Sequence, residues 1–329
     1  MLLFLAEFAG AAESICPRAT LRRVIARAHN MGFDPYAALE YEFFMFNETP
    51  ESVRAKAYKN LQPMTPGWFG YSMLRNSVRA EFYHQILELC ESMDFPLEGL
   101  HTETGPGVLE AAIAVDSADN AGDKAALFKT FIKVLAQRHD MMATFMAKWS
   151  TEYPGQSGHI HLSLRHRDGS RSAFYDAGQP NGMSTVQRQF LAGQQRLMPQ
   201  FLSMIAPTVN SYTRLIPGFW APTDASWGVE NRTTALRVIP GSDKSQRIEY
   251  RLGSADANPY LALAAALGAG LYGVEQQWDP EAEITGNAYD QQHPQHLALP
   301  RHALALSRAM VRADLHAIFG NYSASENEA

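Results

Sequence analysis

Basic residues are in short supply: 28 Lys and Arg stand against 34 Asp and Glu, a formal net charge of −6. Binders of nucleic acid or anionic membranes usually present a basic face, so both classes are disfavoured. Cysteine is scarcer still. Cys16 and Cys90 are the only two. They sit far apart in no metal or redox spacing, which points to reduced, buried thiols in a cytoplasmic protein rather than a disulfide framework. No apolar run approaches the length needed to span a bilayer. The opening Met1-Leu-Leu-Phe-Leu-Ala lacks a basic stretch and meets Glu7 quickly, so it reads as an early buried strand and not as a secretion signal. Glycine-rich phosphate loops are also missing. There is no Walker lysine loop and no GxGxxG, so any nucleotide would have to be held by metals and arginines. What remains is ample: 329 residues with 46% apolar content allow a sizeable core, in one large domain or two smaller ones.

The pattern along the chain mixes helices and strands without regular alternation, which predicts an α+β fold rather than a doubly wound sheet. Pro17 opens a helix that runs through Leu21, Val24, Ile25 and Ala28 and stops near Gly32. Ala37 to Phe46 reads as a strand, and Glu48 to Gly70 as a polar, Pro- and Gly-punctuated loop. Helical periodicity covers Ser77 to Met93. Strands are expected over Leu97 to Glu103, Val108 to Val115, Gly158 to Arg165, Leu236 to Ile239 and Arg247 to Leu252. Further helices are expected from Asp119 or Asn120 to about Trp149, then over Ser184 to Ile205, Asn258 to Glu275 and Pro300 to Phe319. No internal repeat or low-complexity tract is present.

The chemistry is concentrated in acidic and histidine segments spread over more than two hundred residues: Glu40-Tyr41-Glu42, His101-Thr102-Glu103, Glu110, His159-Ile160-His161 and Arg247-Ile248-Glu249-Tyr250-Arg251. Most have the spacing of a strand, where residues i and i+2 share a face. Glu40 and Glu42 alone could be a solvated strand edge. Their neighbours Leu39, Tyr41, Phe43, Phe44 and Phe46 instead describe a buried strand, where unpaired carboxylates are costly. Hard cations are the usual compensation. A lone core histidine would be unremarked, but His159 and His161 on one face suggest a ligand or phosphate contact. Arg214, Arg232, Arg237, Lys244, Arg247 and Arg251 fall in one segment of an otherwise acidic chain. Each could be a solvated cation. Together with the carboxylates they are the equipment for phosphoryl transfer to an anionic substrate.

The order of these motifs resembles the catalytic domain of the glutamine synthetase family. The matching stretches are ALEYEFFMF, HTETGPGVLEAAI, PGQSGHIHLSL, NSYTRLIPGFWAP, SWGVENRTTALRV and RIEYRLGSADANPYLALAAALGAGLYG. The resemblance covers roughly Cys16 to Phe319. It implies a curved, largely antiparallel sheet with flanking helices, binding ATP and two or more Mg²⁺ or Mn²⁺ ions. By the resemblance, Glu42, Glu103 and Glu110 hold one metal, and Glu40, His159 and Glu249 hold the other. Glu98, His161, Ser163, Lys244 and Arg247 match nucleotide-contacting positions. Gly155, Arg214, Trp220 and Arg251 match positions around the substrates, and Arg232, Arg237 and Arg251 match arginines that stabilise charge in the reaction. The implied reaction forms γ-glutamyl phosphate from glutamate and ATP, which an amine then converts to an amide.

Departures from the family pattern carry information. In PGFWAP, ammonia-using members have a glutamate where this chain has Trp220. That glutamate helps bind ammonium and accepts its proton. An indole accepts no proton and offers a flat apolar and π surface instead. The expectation is an organic amine or polyamine as substrate, as in γ-glutamylpolyamine and other γ-glutamyl-amine synthetases. Ordinary glutamine synthetase using ammonia is one alternative. Pro154 replaces an asparagine that touches the glutamate amino group. Tyr289 stands where some bacterial members are adenylylated, but Asp290-Gln291-Gln292 lacks the usual Leu-Pro context, so that regulation is not expected. Residues 1–15 read as a remnant of the family's N-terminal β-rich domain, and 16–329 as a catalytic domain shortened at its C-terminus. The family's ring-type homo-oligomers make a decamer or dodecamer the expected assembly, if those ends allow it. A truncated, non-catalytic member that binds nucleotide or partners is the other alternative.

Overall fold

The computed structural model describes residues 3–67, 70–169 and 171–301. Its backbone is a 9-stranded sheet. The strands are β1 (Phe33–Phe46), β2 (Leu97–Thr102), β3 (Val108–Ile113), β4 (Asp116–Ser117), β5 (Met142–Thr144), β6 (Gly158–His166), β7 (Trp227–Val229), β8 (Leu236–Ile239) and β9 (Arg247–Tyr250). The main path runs β2-β3-β1-β6-β9-β8-β7, with β4 and β5 also pairing with β1. Every pairing is antiparallel except β7 with β8. The α+β expectation holds, with a largely antiparallel sheet flanked by helices.

Strand β1 is the spine. Its odd positions Leu39, Tyr41, Phe43 and Met45 are buried on one face. That face packs on α1 (Pro17–Asn30) and α5 (Ala118–Arg138), and α9 (Pro259–Glu275) packs against both helices. The Tyr41 and Phe128 rings lie parallel with centroids 6.2 Å apart, and Phe43 stacks on Phe145 at 5.1 Å. Helix α9 is apolar on nearly every side and accordingly buried. It begins where the sequence signals it: Asn258 caps the Tyr260 and Leu261 amides, and Pro259 takes the first turn. Its partner α6 (Thr185–Leu197) approaches closely because Gly193 faces Gly273. A Cβ on Gly193 would stand 2.1 Å from the Ala269 carbonyl oxygen.

Shorter helices complete the chain: α2 (Pro50–Ala55), α3 (Met73–Val78), α4 (Ala80–Ser92), α7 (Leu202–Ile205) and α8 (Val209–Arg214). Several boundaries differ from the sequence expectation. β1 begins at Phe33, ahead of Ala37, because Pro35 sits at a position where the pairing with β6 continues through it. α5 stops at Arg138, well before Trp149. Asp140 adopts a left-handed conformation (φ 52°), and the chain turns into β5. The helix expected over Ser184 to Ile205 is two, α6 and α7, and the polar loop after Glu48 contains α2. β7, only three residues long, was not anticipated. The N-terminal segment departs most. Residues Leu3 to Ala9 form no strand, and Leu3, Phe4, Leu5 and Phe8 are exposed. Glu7 ties the segment to α1 through Arg18 and Arg22. Apart from Pro300 and Arg301, the helix expected over Pro300 to Phe319 lies outside the described residues. Both cysteines are free and buried. Among the described residues no helix is long and apolar enough to cross a membrane.

Candidate active site

The face of the sheet opposite the core carries the charged residues. Directly paired residues on neighbouring strands point to the same side. Glu42 of β1 is opposite Glu110 of β3, which is opposite His101 of β2. Glu40 is opposite His159 of β6. His161 is opposite Glu249 of β9, which is opposite Arg237 of β8. One ladder therefore gathers side chains from six strands into a cavity of about 600 Å³. Its lining includes Glu40, Glu42, Glu103, Glu110, Gly155, His159, His161, Arg214, Trp220, Arg232, Arg237, Arg247, Glu249 and Arg251. A second cavity of about 390 Å³ adjoins it, sharing Glu40, Ala112, His161 and Arg247. Glu98, Ser163 and Lys244 line this one. Glu98 is aimed there by an irregularity in the β2–β3 register between Leu97 and Gly99. All the metal, nucleotide and substrate candidates named from the sequence thus lie on one or both of two touching cavities.

Two groups among the described residues bring possible metal-ligand atoms within 4.8 Å of one another: Glu40 with His159 and Glu249, and His101 with Glu103 and Glu110. The first is the set expected. In the second, His101 stands where Glu42 was expected. The Glu42 carboxylate is turned to accept the Ser157 amide at 2.6 Å. In the first group, His159 Nδ1 lies 3.1 Å from Glu40 and 3.3 Å from Glu249. Arg237 Nη1 donates to Glu249 at 3.0 Å, and Arg251 Nη1 donates to its other oxygen. Burial alone would raise the Glu249 carboxyl, but His159 and Arg251 hold it down at about 2. Burial likewise opposes ionisation of Glu40, and hydrogen bonds from His159 and His161 overcome it and keep it well below the ordinary carboxylate range. Arg247 Nε donates to His161 Nδ1 at 3.2 Å. This places the imidazole proton on Nε2, which faces Glu40 at 3.4 Å.

The second group is electrostatically different. Burial, with Glu40 and Glu42 nearby, pushes Glu110 up to about 8. His101, 3.1 Å away, is raised by its hydrogen bond to Glu110. Without a cation this pair retains a proton. Tyr71 donates to Glu103 at 2.6 Å, and the Thr104 amide donates to its other oxygen at 2.6 Å. The donor sets fit hard or borderline divalent cations, with carboxylate oxygens supplemented by one imidazole each. They give a direct test. A cation at about 100 times its Kd adds about 2.7 kcal/mol to stability. In protein freed of metal by EDTA, Mn²⁺ or Mg²⁺ should therefore raise the melting temperature by roughly 5 °C. The sign with pH follows from Glu110. Its folded-state value lies above the ordinary carboxylate value of 4.5, so its contribution is full below 4.5 and lost as pH rises through about 8. A cation favours the ionised form, so the melting shift should be larger at pH 8 than at pH 6. A melting temperature indifferent to both ions would exclude the pair of sites.

Arginines divide by their partners. Arg214 is 3% exposed, and it donates to the Leu252 and Arg251 carbonyls at 3.0 and 3.3 Å. Burial lowers its guanidinium to about 10. Arg237 bridges Glu249 and Glu230. Arg232 is exposed on the cavity wall. Tyr71, Thr104, Phe219 and Glu230 belong to the site but were not picked out from sequence. Thr104, Phe219 and Glu230 lie inside the matching stretches, but no spacing marks them individually. Tyr71 and Glu230 lie in turn-rich stretches whose spacing points nowhere.

Carboxylates, imidazoles and guanidiniums converging on one face of a sheet are the apparatus of metal-assisted phosphoryl transfer. Residues 14–320 match the glutamine synthetase catalytic domain, and the chain belongs to that family of ATP-dependent ligases. It is 45% identical over 292 residues to type-1 glutamine synthetase 2 of Dictyostelium discoideum, covering 88% of this chain and 56% of that protein. It is 38% identical over 276 residues to glutamate–isopropylamine ligase of a Pseudomonas species, covering 84% and 60%. The chain thus spans less than two thirds of the length of either relative. Among solved structures, a GmaS/ADP complex superposes with a TM-score of 0.81 at 29% identity, over 93% of this chain and 69% of that one.

Proposed function

We propose that the protein joins the γ-carboxylate of glutamate to an organic amine at the expense of ATP. The observation that carries this reading is Trp220. It lines the first cavity where ammonia-using relatives are expected to have a glutamate, and it is 56% exposed there. An indole cannot take the proton that an ammonium must lose, but it offers a face to the hydrocarbon or cationic part of a larger amine. The other residues divide the work by position. Glu98, Ser163, Lys244 and Arg247 bind the nucleotide in the second cavity. Glu40 and His161, shared between the cavities, mark where the phosphates cross. Arg214 and Arg251 hold the acid substrate, and Arg232 and Arg237 face the transferring phosphoryl group, where fixed positive charge favours the transition state. Divalent cations held by Glu40, His159 and Glu249 and by the Glu103–Glu110 group would supply further charge neutralisation. Glu42, across from Glu110, completes the acidic wall.

The test is phosphate release from ATP with Mg²⁺ and glutamate, across ammonia, methylamine, ethanolamine, putrescine, spermidine and aniline. Release that depends on an organic amine and not on ammonia is expected. Trp220→Glu should shift kcat/KM toward ammonia by about 10²-fold, the low end of what a positioned proton acceptor contributes. Release with ammonia alone would establish the second reading, an ordinary glutamine synthetase, which the 45% identity to the Dictyostelium protein favours. No release with any amine, from folded protein, would favour a non-catalytic role.

A further inference from the structure

The turn that carries Trp220 is fastened on both sides of it. On one side the Lys148 ammonium lies 4.7 Å from the centroid of the Phe219 ring. Lys148 is 4% exposed, and its Nζ has no hydrogen-bond partner. A buried ammonium without an acceptor is costly. Burial lowers its pKa, and the charge of Arg214 lowers it further. The π face of Phe219 is the compensation within reach, and desolvated cation–π contacts are the strong ones. The lysine backbone is fixed as well. Its amide donates to Asn210 Oδ1 at 2.6 Å, and Asn210 Nδ2 donates back to its carbonyl. On the other side, Tyr289 donates its hydroxyl to the Ala221 carbonyl at 3.1 Å. Between the two fastenings Trp220 has φ 57°, two residues after Gly218 at 84°. A bulky residue in the left-handed region persists only where its surroundings hold it. Trp220, half in solvent, has little packing of its own to do so.

The geometry points to Lys148 and Tyr289 as positioning residues that hold Trp220 in the cavity wall and thereby set which amines the site accepts. Neither lines the cavity, so neither acts on substrate directly. The role in selectivity rests on the reading of Trp220 given above; the fastening of the turn does not.

The full chain is compared with Lys148→Met, Lys148→Arg and Tyr289→Phe. Chymotrypsin cleavage within the Phe219–Trp220 turn, mapped by mass spectrometry, reports the fastening without reference to activity. Cleavage should quicken by roughly tenfold in Lys148→Met and Tyr289→Phe, and Lys148→Arg should stay near the parent because it keeps the cation. The KM for the amine should rise by roughly threefold to tenfold, while those for ATP and glutamate stay within about twofold. If Lys148→Met fails to fold, Tyr289→Phe carries the test, since it deletes a single oxygen. Unchanged cleavage overturns the fastening. Quicker cleavage with an unchanged amine KM overturns the role in selectivity. A parent protein that uses no organic amine sinks the substrate reading instead, and the cleavage rates still decide whether the turn is held.

Discussion

Glu249→Ala should abolish activity and cost about 3–5 kcal/mol of stability, the usual penalty for breaking a buried ion pair from one side. Glu249 is 2% exposed and sits among Arg237, Arg251 and His159. Its removal strands the buried Arg251 guanidinium and leaves Arg237 with Glu230 as its one carboxylate partner. Glu249→Gln separates the roles. The amide keeps the shape and can accept from one arginine, but its NH₂ then faces the other. Its melting temperature should fall less than that of the alanine variant. Amine-dependent phosphate release should still drop by about 10²–10³-fold, because a charge that orders both the cation site and the arginines is gone. Thermal melts and steady-state kinetics on the two variants check this. A glutamine variant with near-normal kcat/KM would show that Glu249 is a structural anchor only.

Gly155→Ala should lower kcat/KM by about 10²-fold, as small misplacements near a reaction centre do. A Cβ at Gly155 would meet the Ala147 carbonyl oxygen at 2.4 Å and Arg214 Cγ at 2.7 Å. The carbonyl already accepts the Gln156 amide at 2.8 Å, so neither strand of this contact can yield freely. Arg214 is anchored on the Leu252 and Arg251 carbonyls, and Ser157 holds Glu42. The added methyl therefore reaches Arg214 and the acidic wall together. Stability should fall by only about 1–3 kcal/mol, typical of overpacking. Kinetics within twofold of the parent, on protein that melts normally, would mean the 154–157 segment has slack that its contacts do not show.

Both cases show where sequence was informative. Glu40, Glu42, His159, His161, Glu249 and Arg251 were legible because strand alternation turns spacing into direction, and a buried strand has no other use for such charges. α9 was legible from Asn258-Pro259 and its unbroken apolar run. Tyr71 and Glu230 were not, since their roles come from contacts made across loops. The choice between Glu42 and His101 as partner of Glu103 was also hidden. It turns on whether a carboxylate accepts a backbone amide from Ser157, a residue more than a hundred positions away. The short β7 and the early end of α5 depended on tertiary pairing and on a left-handed Asp140, which local propensity does not weigh.

The ionisable ladder and Trp220 have different architectural fates. The ladder is cross-linked rung by rung through six strands, so a register slip of one residue in any of them would turn its charges toward the core. Trp220 stands on a turn outside that ladder. Substitution there leaves every rung in place. A lineage with this layout can vary the wall at Trp220 while the charged face stays frozen.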